Sequence, residues 1–229
     1  MMQWVMRIAT AAAVMVAAGC AGTDATVWRF DRLDAIGAAA THVEGHPRLI
    51  ATPAGRAVAF NGVDDALFID RHPLAGAPAF TIQAVFRPDG GAFEQRWMHL
   101  AETDPATGQE TGTRFLFEIR VVGERWYLDA FTAGTGYKQT LVAPDRTFPL
   151  GRWYRVEMTC DGRMFRSFVD GVEQAEAVID FKPQGPGHSS IGTRINRVNY
   201  FHGAIFELRF TPQAMKPEEF APLPAVLGG

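Results

Sequence analysis

Lysine, cysteine and helical periodicity are all scarce in this sequence. Of 22 basic residues only Lys138, Lys182 and Lys216 are lysines. The arginine bias reads as base composition before it reads as guanidinium chemistry. The 2 cysteines, Cys20 and Cys160, exclude a scaffold built on disulfides. The formal net charge is only −3, so no overall field draws the chain to nucleic acid or to an anionic membrane surface. No nucleic acid partner is expected. Beyond the N-terminus no apolar run is long enough to span a bilayer. No phosphate-cradling loop, dinucleotide fingerprint or nucleophile elbow occurs. His42 and His46 sit four apart, but Gly45 and Pro47 spoil the helix that a zinc pair at this spacing would use. No cofactor is therefore expected, apart from the Ca²⁺ considered below.

What is present is strand alternation. In Arg114-Phe-Leu-Phe-Glu-Ile-Arg120, Phe115, Phe117 and Ile119 fall on one side of an extended strand, and Arg114, Glu118 and Arg120 on the other. One face suits a core and the opposite face carries charge of both signs. Phe80–Arg87 alternates likewise, with Ile82, Ala84 and Phe86 inward and Gln83, Val85 and Arg87 outward. In Gln95–Ala101, Met98 and Leu100 suit the core, which puts Gln95, Trp97 and His99 outward. In Trp126–Thr132, Tyr127 and Asp129 share the outward side. Residues 34–55, rich in Gly, Ala, His and Pro, read as loop, as does the stretch up to Leu150. Trp153–Cys160, Met164–Val169, Val178–Phe181, Ser190–Gly192, Val198–Phe201 and Ala204–Phe210 read as further strands, punctuated by Asp161-Gly162 and Asp170-Gly171. Cys160 has core parity. Only Pro212–Phe220 reads as a helical turn. Many short strands with Gly-rich turns and almost no helix predict an all-β, two-sheet antiparallel jelly-roll sandwich with a minor helical turn near the C-terminus.

The N-terminus carries an address. Arg7 precedes the apolar stretch Ile8–Ala18, a signal-peptide pattern. Val16-Ala-Ala-Gly-Cys20 resembles a bacterial lipobox, with Ala17 where leucine is usual. The resemblance implies cleavage before Cys20, lipidation of its thiol and a membrane anchor. Ala21 does not resemble an inner-membrane retention signal, so the expected location is the cell envelope, at the outer membrane or periplasm; the alternative is a secreted protein. The expected division is a signal peptide over 1–19, a tether over 20–28 and one domain over 29–229.

Four pieces in order resemble laminin-G-like (LamG) domains of the concanavalin A-like lectin/glucanase superfamily. They are Phe60-Asn-Gly-Val-Asp-Asp-Ala-Leu-Phe-Ile69, Phe80–Arg87, Gly151-Arg-Trp-Tyr-Arg-Val-Glu-Met with Phe168-Val-Asp-Gly171, and Phe201-His-Gly-Ala-Ile-Phe-Glu-Leu-Arg-Phe210 with its tail. The resemblance implies a jelly roll with one curved sheet. It does not imply an activity, since the superfamily holds glycan-binding modules, adhesion domains and, more distantly, glycan-cleaving enzymes.

Combining the strand parities gathers Arg87, Gln95, Trp97, His99, Arg114, Glu118, Arg120, Tyr127 and Asp129 as candidate ligand-binding residues on a charged concave sheet. Guanidinium forks take carboxylates and aromatic faces take sugar rings, so a carbohydrate, in particular an acidic glycan, is the expected ligand. The plain alternative is a solvated face of weak cross-strand ion pairs, in a structural or protein-interaction domain. The other alternative is a polysaccharide lyase, in which Arg120 with Gln95 would hold a uronate carboxylate, His99 would take the proton and Tyr200 would protonate the leaving oxygen. Glu118 and Asp129 are the one candidate acid pair for a hydrolase. Asp64 and Asp65 could take part in a structural Ca²⁺ site, as in many relatives.

Overall fold

A computed structural model describes residues 25–228. The expected signal peptide, Cys20 and residues 21–24 of the expected tether lie outside the described residues, while 26–28, expected as tether, belong to a strand of the domain. Seventeen strands run β1 (Thr26–Arg29), β2 (Ala35–Ile36), β3 (Ala39–Glu44), β4 (Arg48–Thr52), β5 (Gly55–Asn61), β6 (Ala66–Ile69), β7 (Phe80–Pro88), β8 (Glu94–Thr103), β9 (Glu110–Val122), β10 (Arg125–Gly134), β11 (Tyr137–Val142), β12 (Phe148–Pro149), β13 (Tyr154–Cys160), β14 (Met164–Val169), β15 (Val172–Val178), β16 (Gly187–Ile191) and β17 (His202–Thr211). They form two antiparallel sheets. The first runs β15-β14-β13-β7-β17-β5-β4, with β1 also on β17; the second runs β11-β10-β9-β8-β16-β6-β3-β2, with β12 also on β10. This is the jelly-roll sandwich.

The alternation of β7 and β9 produces the core. Ile82, Ala84 and Phe86 point from one sheet toward Phe115, Phe117 and Ile119 of the other, and all are buried. Phe86 stacks on Trp97 at 4.8 Å, and Trp97 stacks on Phe117 at 4.8 Å. Trp126 closes on Phe86 edge-on at 5.1 Å. Cys160 is a buried core thiol, and burial raises its pKa to about 11. Asp170 and Gly171 both have positive φ, 49° and 77°, as the two-residue β14–β15 turn requires. Close packing of strands forbids a side chain at Gly203, where a Cβ would stand 2.2 Å from the Arg87 carbonyl oxygen.

Four parts of the chain differ from the sequence expectation. Residues 34–55 contain β2, β3 and β4 rather than loop, and β11 lies inside the expected loop before Leu150. β3 and β4 are outer strands whose half-exposed residues show little apolar alternation; β11 does alternate, with Tyr137 and Leu141 in the core, but over too few residues to stand out from the loop around it. Val198–Phe201 is loop, not strand; the expected strand Val178–Phe181 is loop beyond Val178, the last residue of β15; and the expected helical turn is the 3-10 turn Pro217–Glu219. The tail beyond β17 crosses the outer face of the first sheet, with Ala221 N–H donating to Gln83 (2.8 Å) and Leu227 packing beside Val85 and Phe206. The outward side of β7 is thus largely covered.

Candidate functional site

The outer face of the second sheet carries the charge. Its decisive local feature is a bulge in β8. The β8–β9 register places Arg96 opposite Glu118 and then Met98 opposite Phe117, so Trp97 is the extra residue. One extra residue reverses the facing of everything before it. Trp97 therefore points into the core with Met98, and Gln95 faces inward opposite Ile119. The loop 192–201 satisfies the backbone groups that the bulge leaves free. Arg96 N–H donates to Asn199 O at 2.8 Å, and Gly192 N–H donates to Trp97 O at 2.9 Å.

The expected positions of Gln95 and Trp97 on the polar face are thereby corrected. Gln95 is an internal tie, with Nε2 donating to Gly90 O (2.7 Å) and Ala92 O (2.8 Å) while Oε1 accepts from His202 N–H (2.8 Å). Arg87 is corrected too. It lies on the first sheet, paired with Asp89 at 2.7 Å and over the Trp153 ring. His99, Arg114, Glu118, Arg120, Tyr127 and Asp129 do share one outer face across β8, β9 and β10. Arg96, Glu94 and Asn199 join them, hidden from sequence parity by the bulge. The adjacent pair Trp97-Met98, two large apolar residues with opposite parity, was the available signal.

Five of these residues form a dense ionic cluster. Glu118 is held by Arg96 (3.1 Å) and Arg120 (3.1 Å), Asp129 by Arg120 (2.6 Å), and Glu94 by Arg96 (2.5 Å) and Arg120 (3.2 Å). Two guanidinium groups thus serve three carboxylates. Asp129 is the group left short. Burial, then the Glu118 charge, raises its pKa to about 7, against the opposing pull of Arg120.

Arg96, Glu118, Arg120 and Asp129 of the cluster form one wall of a depression of about 280 Å³. Leu116 and Phe131 supply apolar surface, and Arg114, Lys138 and Arg194 supply charge. Among the described residues none of these three cations forms an ion pair. Arg114 lies over the Phe131 ring, 4.9 Å from its centroid, and donates to Gly112 O at 2.7 Å. Burial, then Arg194, lowers its pKa. His99 is buried, and its Nδ1 accepts the Ile195 N–H at 3.1 Å. Burial and the surrounding Arg194 and Arg114 charges push its pKa well down, so the ring is neutral and Nε2 carries the proton. Phe93, 58% exposed, stands at the other end of the cluster below the Arg120 guanidinium.

The lyase set does not come together. Gln95 is committed to backbone groups, Arg120 is shared among three carboxylates, and Tyr200 lies among Glu44, Arg197 and Asp64. Asp65 spends both carboxylate oxygens on His46 N–H (2.6 Å) and Asn61 N–H (2.9 Å), and Asp64 accepts from the Asn61 side chain. The described residues contain no group of three or more His, Cys, Asp or Glu side chains arranged to hold a metal ion.

Comparison with known proteins adds the following. A family model, Laminin_G_3 of the concanavalin A-like lectin/glucanases superfamily, matches residues 61–221. No curated protein matches by sequence. Among solved structures, domain 4 of AbnA, a GH43 extracellular arabinanase from Geobacillus stearothermophilus in complex with arabinotriose, is similar with TM-score 0.63 and 14% identity, over 85% of this chain and 94% of that one. The binding domain of Paraclostridial Mosquitocidal Protein 1 gives 0.62 and 9%, over 85% and 50%. A putative carbohydrate binding protein from Bacteroides ovatus gives 0.52 and 21%, over 71% and 45%. The chain spans half or less of the last two. These likenesses share the fold.

Proposed function

The chain belongs to the Laminin_G_3 family of the concanavalin A-like lectin/glucanases superfamily, and from that premise we propose that it is a carbohydrate-binding module for acidic glycans, held at the cell envelope by lipid on Cys20. The observation that carries the ligand class is the trio Arg114, Lys138 and Arg194, without ion-pair partners among the described residues, around an apolar patch of Leu116 and Phe131. A half-buried guanidinium without a carboxylate has lost hydration and found no counter-charge. A ligand carboxylate or sulfate supplies one, with charge-assisted hydrogen bonds in fork geometry. The Arg96–Glu118–Arg120–Asp129 cluster forms the other wall of the same depression, and its two guanidinium groups are already committed to carboxylates. The bound arabinotriose in the AbnA domain supports a sugar ligand on this fold.

The test is titration calorimetry against uronate, sulfated and neutral oligosaccharides. The Arg114→Ala/Arg194→Ala double variant removes two charge-assisted contacts, roughly 1.5–3 kcal/mol each, so affinity for acidic glycans should fall at least about a hundredfold. Melting temperature should change little, because neither arginine leaves a carboxylate behind. Equal binding of neutral and acidic glycans, or unchanged affinity in the variant, removes this reading.

A further inference from the structure

The outer face of the second sheet does not end at the cationic depression. Its cross-strand register runs in one unbroken row: His42 opposite Phe68, Phe68 opposite Ser190, Ser190 opposite His99, His99 opposite Leu116, Leu116 opposite Phe131 and Phe131 opposite Thr140. The cationic depression occupies the β9–β11 end of this row. A second depression of about 610 Å³ occupies the β3–β16 end, with Phe68, His42, His188 and Ala40 among its lining residues. The loop 192–201 stands between them, Arg194 facing one depression and Ile195 the other. Ile195 is pinned to the sheet by its hydrogen bond to His99.

The two depressions differ in chemistry. The first sets the unpaired Arg114, Lys138 and Arg194 opposite the mutually paired Arg96, Glu118, Arg120 and Asp129. In the second, the guanidinium of Arg197 is already bound to Glu44 (2.5 Å) and rests over Phe68, 4.7 Å from the ring centroid. The remaining wall includes the Phe68 ring, the His42 and His188 imidazoles, Ile195 and Asp70; His42 Nε2 lies 3.4 Å from Glu44, and the buried His188 Nε2 has no hydrogen-bond partner among the described residues. An uncharged sugar ring fits that wall, offering C–H faces to apolar surface and hydroxyls to imidazole nitrogens. From β9 to β6 is three strand spacings, about 14 Å, farther than one sugar ring reaches.

We propose that the ligand is an extended glycan of mixed charge lying across the strands, with an anionic residue against Arg114, Lys138 and Arg194 and an uncharged residue in the depression over Phe68. This rests on the acidic-glycan reading and narrows it. A single terminal uronate meets only one depression. A polyuronate puts a carboxylate into the second, beside Asp70 and with no free cation there.

The experiment measures affinity for size-defined oligosaccharides by titration calorimetry. The probes are hyaluronan di-, tetra- and hexasaccharides, which alternate uronate with an uncharged ring, and oligogalacturonates of the same lengths. The variant Ala40→Trp fills the second depression from an exposed strand position, and His188→Ala removes one polar wall group; both should keep the wild-type melting temperature. Expected is a gain of about tenfold or more from hyaluronan di- to hexasaccharide, no such gain with oligogalacturonate, and reversion of Ala40→Trp to disaccharide-level affinity. Affinity that is flat with length, equal gains in both series, or an Ala40→Trp variant that still shows the gain overturns the proposal while leaving the cationic site standing. Absence of binding to every acidic glycan, long or short, overturns both.

Discussion

Replacing Asp129 by asparagine should flatten the pH dependence of stability. Asp129 is 2% exposed, and its pKa stands at about 7, raised first by burial and next by Glu118. The unfolded chain titrates this carboxyl near ~3.9. Between those values the native state holds the proton and the unfolded state has released it. Stability from this group is therefore complete below about pH 4 and is lost as pH rises toward 7. A difference of about three pKa units, at ~1.4 kcal/mol each, amounts to about 4 kcal/mol over the full window. Between pH 5 and pH 8 roughly 3 kcal/mol of it remains. Glu157, also raised to about 7 by burial, contributes its own loss with the same sign. It is present in both proteins and cancels in the comparison. Urea melts of wild type and Asp129→Asn at pH 5 and pH 8 give the difference directly. The wild type should lose about 3 kcal/mol more than the variant on going to pH 8. Parallel losses would mean that Arg120, at 2.6 Å, keeps Asp129 ionised throughout. The reasoning from two guanidinium groups shared by three carboxylates would then fail. The same titration adds negative charge to the ligand-binding face above pH 7, so acidic glycans should bind more weakly there.

Trp97→Ala should cost about 3–5 kcal/mol, since the ring fills the space between Phe86 and Phe117; a cost under about 1 kcal/mol in a urea melt would contradict its core position. Cys20→Ser in the full-length chain should release the protein from the membrane fraction and abolish labelling by radioactive palmitate, and unchanged fractionation would remove the lipid anchor from the proposal.

Alternation carried most of the fold. Phe115, Phe117 and Ile119 against Arg114, Glu118 and Arg120 was enough to orient β9, because a side-chain period of two leaves no other arrangement once one face is buried. The Asp-Gly pairs marked the β13–β15 turns for the same kind of local reason. Periodicity was silent for β3 and β4, whose half-exposed residues are tolerated on either side and show no repeat, and faint for β11, where only Tyr137 and Leu141 mark the buried side. It was misleading at Gln95 and Trp97, because parity assumes an unbroken ladder and a single inserted residue in β8 inverts it.

The sequence by itself determined which residue types lie on the outer face of β9 and β10, because those strands run without interruption through Arg114, Glu118, Arg120, Tyr127 and Asp129. Only the tertiary structure decided which of their charges are free. Arg120, the most promising anion ligand in the linear chain, is consumed by Glu94, Glu118 and Asp129, and Glu94 reaches it from another strand. Arg114 is free because its guanidinium lies over Phe131 and beside Lys138 and Arg194, with no carboxylate of the described residues within ion-pair distance. Whether a charge is paired depends on distances between residues far apart in sequence, and no local pattern encodes those distances.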